Sequence, residues 1–238
     1  GNATDACGIT SVTYIDVSSG TCPTVVTRKW TVTDVCGSTA TCNQIINVDD
    51  NTAPSIATCP VTLNIEGCTT AAITDPPYSA TSATASEAQF ENVTNQGNTS
   101  DACGITSVTY IDITAGTCPT VVTRKWTVTD ACGNTTTCNQ TINVDDNTSP
   151  TISSCPAPRV IEGCNTAAIT GPAYSTTTAT SSEAVFEDAT NQGITSDVCG
   201  ITAVTYIDVA AGTCPTVVTR KWTVTDACGN TTTCNQTI

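Results

Sequence analysis

The 238-residue chain contains no histidine and no methionine, only seven basic side chains, and aromatic residues at 4%. Each shortage excludes something. Without imidazole there is no His base, no His metal ligand and no His-based pH switch, so a Ser/His/Asp hydrolase is ruled out. A nucleic-acid binder needs clustered Lys and Arg to displace counterions, and here 21 acidic groups against 7 basic ones give a net charge of −14. No nucleic-acid partner is expected. No run of about 18 apolar residues occurs, nor a basic segment followed by an apolar core, which predicts neither a membrane span nor an export signal within these residues. The carboxylates are scattered without a paired motif, so no enzyme activity is expected.

What the chain has instead is threonine, 53 residues of it, and 16 cysteines. A Thr-rich composition with little charge favours strands over helices. One internal period, of 96 residues, organises the whole sequence: Cys7, Cys103 and Cys199 each open the phrase CGIT, and Cys22, Cys118 and Cys214 each open CPTVVTRKWTVTD. Residues Cys7–Asp50 match Cys103–Asp146 at 37 of 44 positions. That period suits one compact domain rather than a solenoid rung. The Asp-Asp-Asn-Thr-x-Pro phrase, at Asp49–Pro54 and Asp145–Pro150, is the natural joint. On that cut, residues 1–50 are the second half of a repeat, 51–146 a complete one and 147–238 a nearly complete one. The sequence therefore reads as a window on a longer array.

Period-two alternation places the strands. In VVTRKWTVTD, Val122, Trp126 and Val128 share one parity, and Thr123, Lys125, Thr127 and Thr129 the other. TTTCNQTINV follows as the second arm of a hairpin, with Cys138, Ile142 and Val144 inward. Upstream, Val108 and Tyr110 alternate with Thr109 and Ile111, and CPVTLNI aligns Cys59, Val61, Leu63 and Ile65. The stretch between Pro76 and Gly97 is the least periodic and reads as loop with a short strand or helical turn near Phe90. About seven short strands per repeat predict an all-β fold of tandem immunoglobulin-like β-sandwich domains. Strict alternation turns Arg124 inward beside Trp126, where it pairs with a carboxylate such as Glu66 or Glu91, or is turned to solvent by a bulge.

Sixteen cysteines with no histidine and no C-x-x-C point to disulfides rather than zinc, and so to an oxidising compartment. The expected local bridge is Cys103–Cys118, with Cys7–Cys22 and Cys199–Cys214 as its repeats. For the others two patterns are open: short closures such as Cys59–Cys68 and Cys132–Cys138, or long ones tying domain ends together. The long set, Cys59–Cys138 with Cys68–Cys132 and Cys155–Cys234 with Cys164–Cys228, is preferred because long loops gain more from closure. Under it, Cys36 and Cys42 have no partner.

The opening P-x-I-x-x-C-P at Pro54–Pro60, the D-x-C-G at Asp101–Gly104, the Trp-x-Val-x-Asp-x-Cys-Gly-Asn stretch from Trp126 and the closing Val-Asp-Asp resemble hyalin-repeat (HYR) immunoglobulin-like domains. The resemblance covers all three copies. It implies a secreted or cell-surface array of the kind found in gliding, biofilm-forming bacteria, with fibrous or adhesive roles and no catalytic residue.

At the joints, Asp49, Asp50 and Asn51, repeated as Asp145, Asp146 and Asn147, offer hard oxygen ligands for calcium, in a phrase similar to the cadherin linker. The other reading is a solvated turn whose Asx side chains cap the backbone. Function is expected to be structural: a stiff, disulfide-stabilised extracellular rod, stalk or filament whose partners are further copies of the repeat and other filament chains. The alternative is an adhesin repeat that binds surface glycans.

Overall fold

All residues, Gly1–Ile238, are described by a computed structural model. The fold is all-β. Strands β1 (Ile9–Ser19), β2 (Thr24–Asp34) and β3 (Thr39–Val48) form an antiparallel meander. The next repeat supplies β4 (Ser55–Thr58), β5 (Leu63–Glu66), β6 (Ala83–Ala85), the short helix α1 (Glu87–Glu91), β7 (Asn98–Ser100), β8 (Ile105–Ala115), β9 (Thr120–Asp130) and β10 (Thr135–Asp145). They make a five-stranded sheet in the order β5-β10-β9-β8-β6 and a separate β4-β7 pair, the two layers of an immunoglobulin-like sandwich. The last repeat repeats the plan with β11 (Thr151–Ser154), β12 (Ala179–Ser181), α2 (Glu183–Phe186), β13 (Ile194–Ser196), β14 (Ile201–Ala211), β15 (Val217–Asp226) and β16 (Thr231–Thr237). Here the sheets are β12-β14-β15-β16 and β11-β13.

Compactness partitions the chain differently from the 96-residue period. One unit comprises Gly1–Thr62, Ser79–Asp112 and Thr123–Gln140; the other comprises Leu63–Tyr78, Ile113–Val122 and Thr141–Ile238. In the first, Phe90, Val108, Tyr110, Trp126 and Val128 make the core, with Ile56, Ala83 and Ala85 packed on it. Phe90 meets Trp126 edge-on at 5.3 Å. The helical turn that carries Phe90 is held by a capping box between Ser86 and Gln89. The second unit has an equivalent core around Phe186, Tyr206 and Trp222, and another formed by Ile73, Val122, Ile142 and Val144.

CPVTLNI is not one strand. The chain leaves β4 before Cys59, crosses at Pro60, which has no N–H to donate, and resumes as β5. β4 pairs antiparallel with β7, whereas β5 pairs parallel with β10, so these four residues carry the chain from one sheet to the other. The crossing is fixed by a buried polar relay. The Trp126 indole N–H donates to Gln140, whose amide donates to Asn95 Oδ1 and to the Val61 carbonyl.

Arg124 is buried and points inward as alternation requires, but its partner is neither Glu66 nor Glu91. Its Nε and Nη2 donate to both oxygens of Asp112 at 2.8 Å, and its guanidinium lies 4.3 Å from the Tyr110 ring centre. Glu91 instead accepts from the Thr99 amide, and Glu66 from Asn147 and Thr148. Arg220–Asp208 repeats the buried pair, while Arg28–Asp16 keeps the geometry half-exposed.

Candidate functional site

Five disulfides join Cys22–Cys132, Cys59–Cys138, Cys68–Cys199, Cys118–Cys228 and Cys155–Cys234, with Cα–Cα separations of 5.1–6.0 Å. The structure thus brings together Cys59 with Cys138 and Cys155 with Cys234, each tying the sheet-crossing segment to the edge of the core beside Trp126 or Trp222. The other expected pairs are corrected. Cys7–Cys22, Cys103–Cys118 and Cys199–Cys214 do not form, because the hairpin register separates them. In β1–β2, Ile9 faces Asp34 and Ser19 faces Val25, so Cys7 and Cys22 sit at opposite ends of strands spanning roughly 35 Å. The last copy has the same register, with Ile201 opposite Asp226 and Ala211 opposite Val217. Cys68–Cys132 and Cys164–Cys228 fail for a related reason. Cys68 follows β5, which lies against the C-terminal end of β10, whereas Cys132 is at the turn before β10 begins. Cys132 bonds to Cys22, Cys68 to Cys199 and Cys228 to Cys118, all across the repeat boundary. Cys7, Cys36, Cys42, Cys103, Cys164 and Cys214 remain thiols.

The two adjacent aspartates of each joint part company. Asp49 lies with Cys22 and Cys132, and Asp145 with Cys118 and Cys228, while Asp50 groups with Asp101 and Cys103 and Asp146 with Asp197 and Cys199. Within each group one ligand atom per residue lies within 4.8 Å of the others. Asp146 is the most enclosed. Its Oδ1 accepts from the Thr148 amide, and its Oδ2 is buried without a hydrogen-bond partner. Burial pushes its carboxyl above the usual range, and the nearby charges of Asp197 and Asp226 act in the same direction. The Asp50 Oδ2 is orphaned in the same way. Asn147 turns its backbone and side-chain N–H groups to Glu66. Hydrogen bonds from the Thr148 hydroxyl and the Asn147 amide hold the Glu66 carboxyl below its ordinary value. An orphaned carboxylate oxygen facing a second carboxylate is a donor set that fits a hard cation. Sequence reading missed Glu66, Asp101 and Asp197 here, although Asp101 and Asp197 stand two residues before the CGIT cysteines in both copies.

The turn after β9 is organised by Asp130. Burial pulls its carboxyl upward, but the Asn134 side chain and the amides of Asn134, Cys132 and Gly133 outweigh that pull and leave it lowered. Asn134 also donates to the Asp50 carbonyl at 2.9 Å. A carboxylate with a depressed folded value contributes stability above its unfolded value, and that contribution disappears as pH falls through the folded one. Asn134→Ala is therefore expected to move acid unfolding, followed by tryptophan fluorescence, to higher pH. An unchanged midpoint would show that the amide bond to Asp130 has no such effect.

Fold and bridges together define a disulfide-stapled, all-β repeat protein of immunoglobulin-like architecture. No family model matches the chain, and neither does any curated protein. Among solved structures it is similar to the extracellular cadherin domains 1–4 of protocadherin gamma B7, at 10% identity and a TM-score of 0.27, over 94% of this chain and 57% of that one. The chain spans a little over half the length of that structure, and a likeness this low defines no family. No helix is long and apolar enough to cross a membrane.

Proposed function

We propose that the chain is a structural, non-catalytic segment of an extracellular rod or filament, at the bacterial surface that the hyalin-repeat resemblance implies. One observation carries this reading: Cys22–Cys132 and Cys118–Cys228 each span 110 residues, more than the 96-residue period, so successive copies are stapled to one another as well as internally. Bridges of this number persist only in oxidising surroundings. A net charge of −14 supports the same reading by keeping neighbouring chains from collapsing together. The glycan-binding alternative gains nothing from Trp126 and Trp222, which are fully buried and offer no stacking platform. Imaging of native material by electron microscopy is expected to show extended fibres or stalks. Compact isolated particles, or native cysteines found mostly as thiols by mass spectrometry, would refute the proposal.

Calcium at the joint belongs to the same proposal, with Asp146 and Asp197 as its side-chain ligands; the orphaned Asp146 Oδ2 is what supports it. Adding calcium is expected to raise Tm by several degrees, and Asp197→Asn to abolish the rise. A melting curve insensitive to both calcium and chelator removes the ion from the picture.

A further inference from the structure

The six thiols are not a random remainder. Shifted by one 96-residue period, the observed bridges predict a partner for each of them. Cys7 and Cys103 match Cys199, Cys36 matches Cys132 and Cys42 matches Cys138, and each of these bonds to a residue earlier in the sequence: Cys68, Cys22 and Cys59. Cys164 matches Cys68 and Cys214 matches Cys118, and both of these bond to residues in the following copy, Cys199 and Cys228. The same rule that accounts for every bridge therefore accounts for every thiol.

A second observation points to the same place. Cys164 and Cys214 line one cleft of about 440 Å³, together with Arg159, Ile161, Ile169 and Val218. In the preceding copy the matching residues are Leu63, Ile65, Ile73 and Val122, which close around Val144 while β5 pairs with Ile142–Asp145 of β10. In the last copy residues 159–162 form no strand, and Val160 is 99% exposed. The cleft has the lining of a core that Val144 fills one repeat earlier. The first hairpin shows the converse. Val12 and Tyr14 are more than half exposed, whereas their matches Val108 and Tyr110 are covered by Phe90 and its neighbours.

We propose that Cys164 and Cys214, which line this cleft, are the attachment points for a further copy of the same repeat, continued in phase. Residues matching Asn143–Asp145, which end the third repeat's own last strand, fill the cleft, and the copy that follows is sealed on by two disulfides, from Cys164 to the residue matching Cys199 and from Cys214 to the residue matching Cys228. This rests on the reading of the chain as a structural array and names the lock between its copies. Each bridge forms as two thiols lose two protons and two electrons to a small-molecule disulfide such as oxidised glutathione, which leaves as two thiols.

The test appends a second copy of residues 143–238 directly after Ile238, refolds the extended chain with oxidised glutathione, alkylates it and maps its bridges by mass spectrometry. The addition brings six cysteines, yet the number of alkylated thiols is expected to stay at six, with Cys164 and Cys214 no longer among them. Replacing the appended residues that match Cys199 and Cys228 with Ser is expected to return both to the alkylated set. A higher thiol count that includes Cys164 and Cys214, with the five bridges of the parent chain intact, overturns the docking proposal alone. If the parent bridges are also missing, the structural reading fails with it.

Discussion

Replacing Cys118 and Cys228 together with Ser is expected to destabilise the oxidised chain by about 4 kcal/mol. The bridge closes 110 residues, but with Cys155–Cys234 in place the loop it removes from the unfolded chain shortens to about 43, which lowers the entropy estimate only slightly. The effect is read as a shift in the denaturant midpoint of the second unit. Serine at Cys7 or Cys36, which are unbridged and exposed, is expected to change stability by less than about 0.5 kcal/mol. Equal effects at bridged and unbridged positions would contradict the framework.

Asp112→Ala is expected to cost about 3–5 kcal/mol, because it strands the Arg124 guanidinium, 1% exposed, among Tyr110 and Trp126 without its counter-charge. The chain contains its own control. Arg28–Asp16 has the same bidentate geometry with side chains 27% and 35% exposed, and Asp16→Ala is expected to cost far less, because solvent screens the exposed pair. Exchanging both buried partners for apolar residues, as Asp112→Leu with Arg124→Met, is expected to recover part of the loss, since neither charge of the pair is then buried without the other. Denaturant titration of the four variants decides the matter. Similar losses at Asp16 and Asp112 would show that burial is not what sets the cost.

The strands were readable because Thr alternates so regularly with Val, Trp and Ile along β8, β9 and β10, and the core residues Val108, Tyr110, Trp126 and Val128 follow from that parity alone. Parity would also have found Asp112, which shares its face with Tyr110 and stands across the hairpin from Arg124. The segment around Pro60 misled because its apolar residues keep period two through a sheet crossing, and periodicity carries no information about which sheet a strand joins. The disulfides were least legible. Loop entropy favours long closures, of which Cys59–Cys138 is one, but nothing local in a sequence reports that Cys132 lies beside the start of another copy's strand. At the joints, composition drew attention to the adjacent aspartates, whereas alternation along an extended chain sends Asp145 and Asp146 to different neighbours.

The offset of the 110-residue bridges sets the route by which a pulling force would travel. Cys118 and Cys132 flank β9, Cys132 is bonded to the cysteine that opens β2, and Cys118 to the one that closes β15. The shortest covalent path from Cys22 to Cys228 is two sulfur–sulfur bonds and one already extended strand, about 14 residues or roughly 48 Å of contour. The crossing at Pro60 and the helical turn at Phe90 lie off this covalent path. An already extended strand has little length left to give, and reduction of either bridge would lengthen the covalent path between Cys22 and Cys228.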